Sequence, residues 1–215
     1  MKLAWQGTNR LFLVGQATQS AADGHLNAFM PLLLLELRLS PPEIAVWTGL
    51  LVAVMMATAT PLSPFWGVLA ERYSRRPIIV RCYILLAVAL LIAAWTNDVR
   101  WLILVRLLMG LSFGNGGIII AVQALVTPPN RLGSAIATVQ ASEPVAASLG
   151  PPLGALAIPL LGLRGLFVID AVLLLVAALA LWLLLPEPPL QAKRGSVLGR
   201  TGEVVGFVWK TPPIR

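Results

Sequence analysis

Long apolar runs alternate with short polar joints along this chain. Six runs have the length and character of a bilayer-crossing helix, which needs about 20 mostly apolar residues. They are Leu11–Leu35, Ile44–Trp66, Ile78–Trp95, Trp101–Val126, Leu132–Leu161 and Gly165–Leu185. Backbone N–H and C=O groups inside hydrocarbon must find partners within their own segment, so runs of this kind are helices. The pattern predicts an all-α membrane protein, a bundle of six spanning helices over residues 1–185. After Leu185 the character changes. Pro186, Pro188 and Pro189 stop the sixth helix. Residues 186–215 read as a cytoplasmic linker, with a brief amphipathic stretch from Glu203 to Lys210.

Composition agrees. The chain has 215 residues, 58% hydrophobic and 12% charged, against about 25% charged in an ordinary soluble domain. The net charge of +7 raises the question of nucleic acid. The basic residues flank the apolar runs and form no single patch, so no nucleic-acid partner is expected. Their placement orients the chain instead. Twelve Lys and Arg fall on the side of both termini and of residues 67–77 and 127–131, and three (Arg38, Arg100 and Arg164) fall on the other. The positive-inside bias puts both termini in the cytoplasm of a plasma (inner) membrane protein. Lys2 and Arg10 precede the first run as they would in a signal peptide. The polar middle of that run and the five further runs read as an uncleaved span. Cys82 is the only cysteine and His25 the only histidine. An internal disulfide, a thiolate cluster and a paired-histidine zinc site are thereby excluded, and no metal or cofactor is expected.

Polar residues inside spans are expensive and are functional candidates. In the first span Gln16, Gln19, Ser20, Asp23 and Asn27 share one helical face, expected to line a water-filled cavity. His25 lies opposite and reads as packed or interfacial. In the fourth span Arg106 is either buried for a purpose or snorkels to the headgroups. Asp170, at similar depth on the sixth span, is placed to pair with it. In the fifth span Gln140, Glu143, Ala147, Gly150, Pro151 and Gly154 share a face. Its small residues allow close helix contact, and Pro144 and Pro151 remove backbone bonds. Gly110-Leu111-Ser112-Phe113-Gly114 matches the Gly-x-Ser-x-Gly nucleophile motif by letter but lacks its strand-turn-helix setting. Gly110 and Gly114 read instead as helix-packing glycines.

The most specific stretch joins the second and third spans: Gly67-Val68-Leu69-Ala70-Glu71-Arg72-Tyr73-Ser74-Arg75-Arg76-Pro77. Its charges cannot sit in hydrocarbon, so it reads as a short cytoplasmic loop. Gly67 is expected to let a helix end approach a neighbour. The stretch resembles the loop of major facilitator superfamily transporters, whose pattern is Gly-x-Leu-Ala-Asp-Arg-x-Gly-Arg-Lys. Gly67, Leu69, Ala70, Arg72 and Arg75 match, while Glu71, Ser74 and Arg76 stand for Asp, Gly and Lys. Leu102, Arg106 and Gly110 are similar to the superfamily's Leu-x-x-x-Arg-x-x-Gln-Gly, with Met109 in place of Gln. Gly150-Pro151-x-x-Gly154 resembles the centre of its antiporter signature.

This resemblance implies the N-terminal half of a twelve-span fold, built from two inverted three-helix units. It implies proton-coupled export of small, amphipathic molecules by alternating access, with Arg106 in the coupling. Gln16, Gln19, Asp23, Asn27, Arg106, Gln140 and Glu143 would line the substrate and proton path. The loop acid at Glu71 would latch the cytoplasmic side to a second six-span half. A different class stays open: a half acting as a binding or assembly module, pairing with another half or with itself. An intramembrane enzyme would need a metal or nucleophile set that the sequence lacks. The partners expected are the lipid bilayer, a small-molecule substrate and protons.

Overall fold

The computed structural model describes residues 4–72 and 74–185, apart from the side chains at 63, 64, 68, 71 and 72. The linker expected over 186–215 lies outside them. The described residues form seven helices: α1 (Trp5–Ala28), α2 (Met30–Glu36), α3 (Pro41–Arg72), α4 (Arg75–Trp95), α5 (Arg100–Ser112), α6 (Asn115–Val126) and α7 (Pro129–Leu184). The all-α expectation holds for them, but the element boundaries differ from the expected spans in three instructive ways.

The first apolar run is interrupted. α1 ends at Ala28 and α2 starts at Met30, with Phe29 between them at φ −97°, ψ 5°. Pro31 explains the break, because it lacks the N–H that would continue the ladder of α1 and it suits the first turn of a new helix. The fourth run is also broken, at Phe113–Gly114. Gly114 has φ 100° and caps α6, a left-handed conformation that costs a side-chain-bearing residue energy. Gly114 makes the break. The fifth and sixth runs merge into α7, 56 residues long. At about 1.5 Å per residue one straight rod of that length would exceed twice the ~30 Å hydrocarbon thickness. It is two helical arms meeting at Gly162, whose φ of 70° and ψ of 163° are non-helical.

Among the described residues, four helical stretches are long and apolar enough to cross a membrane: Pro41–Leu62, Arg75–Trp95, Arg100–Val126 and Pro129–Leu184. The polar face of α1 keeps it out of that set.

The basic stretch also differs from expectation. α3 continues as helix to Arg72 and α4 resumes at Arg75, so most of the predicted loop is helical. Among the described residues, a Cβ on Gly67 would meet nothing within 4 Å. At the other end of α3, Glu43 reaches back to Ser40, one half of a capping box: the backbone N–H and hydroxyl of Ser40 donate to Glu43 Oε2 at 2.8 and 2.6 Å.

α1 packs along α7, and α4 lies between α7 and α5, with α3 against α5. Phe12, Leu26, Tyr83, Leu90, Val105, Phe167 and Leu174 are fully buried where these helices meet. Gly110 is a point of close approach between α5 and α3. A Cβ there would sit 2.6 Å from Thr58 Cβ and 2.8 Å from the Met55 carbonyl oxygen.

A candidate transport cavity and its charged wall

Period 3.6 puts Gln16, Gln19, Ser20 and Asp23 on one face of α1, and that face does line a cavity of about 200 Å³. Its other walls are Leu86 of α4, the break Ser112–Gly116 and Glu143 of α7. The break puts Asn115 where its Nδ2 donates to Gln16 Oε1 (3.2 Å) and Gln19 Oε1 (2.7 Å). One turn beyond Asp23, Asn27 acts as a relay. Its Nδ2 donates to Asp23 Oδ2 at 3.0 Å and to the Asp23 carbonyl at 2.9 Å, while its Oδ1 accepts from Arg106 Nη1 at 2.6 Å. An amide can donate and accept at once, so it joins a cation to an anion that do not touch.

Arg106 is 1% exposed and so does not snorkel to the headgroups. Its Nη1 also lies 3.7 Å from Met55 Sδ and 3.5 Å from Met109 Sδ. Met109, which stands where the resemblance expects Gln, offers a soft, weak acceptor in its place. Arg106 is a buried cation, whose charge is costly without a partner, and Asn27 links it to the carboxyl of Asp23.

Asp170 does not pair with Arg106, contrary to the sequence expectation. His25 Nδ1 lies 2.7 Å from Asp170 Oδ2, and His25 Nε2 lies 2.8 Å from the Gly150 carbonyl oxygen. The glycines of the fifth run make room for this. A Cβ on Gly150 would lie 3.2 Å from Ala21 Cα, and one on Gly154 would lie 2.8 Å from both His25 Cδ2 and Phe29 Cε2. Pro151 Cδ packs across from Gly24, 3.6 Å from where a Cβ would be.

Of the remaining candidates, Glu143 joins the cavity, while Gln140 is exposed and does not line it. Arg75 and Arg76 open α4. Arg76 Nη2 donates to the Leu185 carbonyl at 2.7 Å. Leu69 packs partly buried against the core. The side chains of Glu71 and Arg72 fall outside the described set. Ser112, the centre of the nucleophile-like motif, donates its hydroxyl back to the Met109 carbonyl at 2.7 Å.

Sequence reasoning missed Asn115 and Gln123. Gln123 Nε2 donates to Asn9 Oδ1 (2.6 Å) and to the Ala135 carbonyl (3.1 Å), tying α6 to α1 and α7. Both are amides within an apolar run, a signal that was present in the sequence.

The profile of the Major Facilitator Superfamily matches residues 12–214. The chain belongs to this superfamily. Its members are transporters, and the chain is an integral membrane protein of this kind, not an enzyme. Over 178 residues it is 28% identical to the multi-drug resistance efflux pump PmrA of Streptococcus pneumoniae, covering 83% of this chain and 45% of PmrA. It is 32% identical over 183 residues to the multidrug resistance protein MdtG of Citrobacter koseri, covering 83% of this chain and 42% of MdtG. It is 30% identical over 173 residues to the staphyloferrin B transporter of Staphylococcus aureus, covering 79% and 41%. This superfamily chain thus spans about half the length of the curated relatives it matches. In fold it is similar to the human organic anion transporter MFSD10 (TETRAN), with a TM-score of 0.72 at 21% identity, over 91% of this chain and 51% of that one.

Proposed function

We propose that this six-span bundle is one half of a secondary active transporter. In this reading it exports small amphipathic molecules in exchange for protons by alternating access. The observation that carries the proposal is the relay from buried Arg106 through half-buried Asn27 to half-buried Asp23, at a polar cavity that also holds Glu143. A carboxylate beside a fixed cation can gain or lose charge with a proton, and that change alters its attraction for the neighbouring helix. The multidrug relatives support the substrate class. The cavity, about 200 Å³, is smaller than the roughly 300–1,000 Å³ of drug-sized sites. That suits one wall of a site completed by a second six-span bundle, in the same protein or a partner. The six passes form two three-helix units of opposite topology, with the break at Gly162 as the fifth turn.

The coupling test is an amide exchange. In the full-length protein, Asp23→Asn or Glu143→Gln is expected to abolish proton-driven export while leaving the protein in the membrane, because an amide cannot change charge with pH. Dye export from inverted vesicles under an imposed pH gradient measures it. Unchanged export in both variants would remove these carboxylates from the path.

Both termini are placed in the cytoplasm of the plasma (inner) membrane, on the Lys and Arg distribution. On a Cys82→Ala background, a membrane-impermeant thiol reagent added outside intact cells should label a cysteine at Asn97. It should not label one at Ser74 or Ser196. The reverse pattern would invert the topology.

A further inference from the structure

His25 is the chain's one histidine, and the cavity network does not use it. It is buried at 7% exposure, and its partner Asp170 at 5%. Two acceptors meet on its ring. The Asp170 carboxylate lies 2.7 Å from Nδ1, and the Gly150 carbonyl lies 2.8 Å from Nε2. A backbone carbonyl can only accept, so Nε2 must carry a hydrogen. The 2.7 Å contact at Nδ1 then requires a second proton between ring and carboxylate, because two lone pairs facing each other repel. Imidazole is the stronger base in water, about 6.5 against 3.9 in pKa, and the carboxylate 2.7 Å away offsets the charge that the protonated ring carries; together these place the proton on the ring.

We propose that His25 and Asp170 form a proton-binding site of their own, separate from the Asp23 network. In it an imidazolium clamps α1 to both arms of α7. The two acceptors come from either side of the break at Gly162: Gly150 from the first arm and Asp170 from the second. A single proton therefore holds three helical segments together. Its release to water leaves a neutral imidazole, and one of the two contacts loses its hydrogen. Phe29 stacks on the ring at 6.2 Å between centroids, and the tight fit at Gly154 closes the remaining side. With so little of the pair exposed, the proton exchanges with solvent when α1 parts from α7. Binding of the proton and closure of this interface are the same event.

The surrounding charges leave the pair to itself. Asp23 is two residues away on α1, turned by about 200° at 3.6 residues per turn, and faces Asn27 and Arg106. Glu143 of α7 lines the cavity. Tyr83 of α4 packs against Gly15. α6 contains no ionisable residue. Glu36 of α2 pairs with Arg164 of α7 at 3.5 Å.

The consequence for transport rests on the export reading; the bound proton does not. Nitrogen NMR of the full-length protein, labelled with ¹⁵N-histidine in lipid nanodiscs, separates the two. The His25 signals are those lost in His25→Gln. At neutral pH both ring nitrogens of His25 are expected as N–H. Asp170→Asn should lose one of them, and Asp170→Glu, which keeps the acceptor, should retain both. A lone-pair nitrogen on wild-type His25 at neutral pH would overturn the proposal, as would two N–H signals surviving in Asp170→Asn. Should the full-length protein export nothing while both N–H signals are present, the export reading fails and the proton site stands. Where export is present, His25→Gln should shift its pH profile, whereas an unchanged profile would refute the link between clamp and transport.

Discussion

Arg106→Leu should lower the thermal stability of the full-length protein by about 3 kcal/mol, the lower end for breaking a buried charge pair, and should eliminate proton-driven export. The guanidinium is 1% exposed and reaches Asn27 Oδ1 at 2.6 Å. Without it, Asn27 loses its donor, and Asp23 loses the cation to which Asn27 links it. The diagnostic variant is the double mutant. Asp23→Asn with Arg106→Leu removes both charges, so much of the lost stability should return, while export stays absent because no titratable carboxylate remains at that position. Thermal unfolding in detergent and vesicle dye export read the two quantities. A double mutant no more stable than Arg106→Leu would mean that the two charges are not coupled through Asn27.

The second large effect is steric. Gly110→Val should destabilise the bundle by about 3 kcal/mol or more, the upper end of what overpacking costs. A Cβ at Gly110 falls 2.6 Å from Thr58 Cβ and 2.8 Å from the Met55 carbonyl oxygen. The second neighbour is helix backbone and cannot swing aside as a side chain could. α5 would have to move off α3, and α5 carries Arg106. The loss should therefore appear both as a lower unfolding midpoint and as reduced export per folded molecule. Gly133→Ala is the control, since a Cβ there meets nothing within 4 Å. Equal behaviour of the two variants would show that α3 and α5 are not in close contact at this position.

Much of this was legible in the linear pattern because it depends on transfer from water to hydrocarbon, a property of composition and length. Apolar runs of bilayer length require helices. Polar groups at period 3.6 in the first run require a common face, and the cavity lies along it. The basic stretch at Arg72, Arg75 and Arg76 is too charged to lie in hydrocarbon. The motif around Arg106 singled that residue out but left open whether it is buried or reaches the headgroups.

What the chain could not declare by itself was pairing between helices. Asp170 and Arg106 lie at similar depth, but depth says nothing of rotation about the helix axis or of which neighbour each face meets. Packing α1 into the small-residue groove of Gly150 and Gly154 brings His25 to Asp170 and leaves Arg106 to Asn27. Gly114 is a similar case. Glycine suits both a tight helix contact and a left-handed break, and only the backbone at φ 100° decides between them. The extension of α3 through the expected loop likewise follows from what that helix rests on, since Leu69 and Ala70 find a core to pack against. Composition determined that this chain enters a membrane as helices and which residues are too polar to face lipid. The tertiary structure decided which of them meet, because a buried charge is tolerated only beside the particular partner that rotation and close packing bring to it.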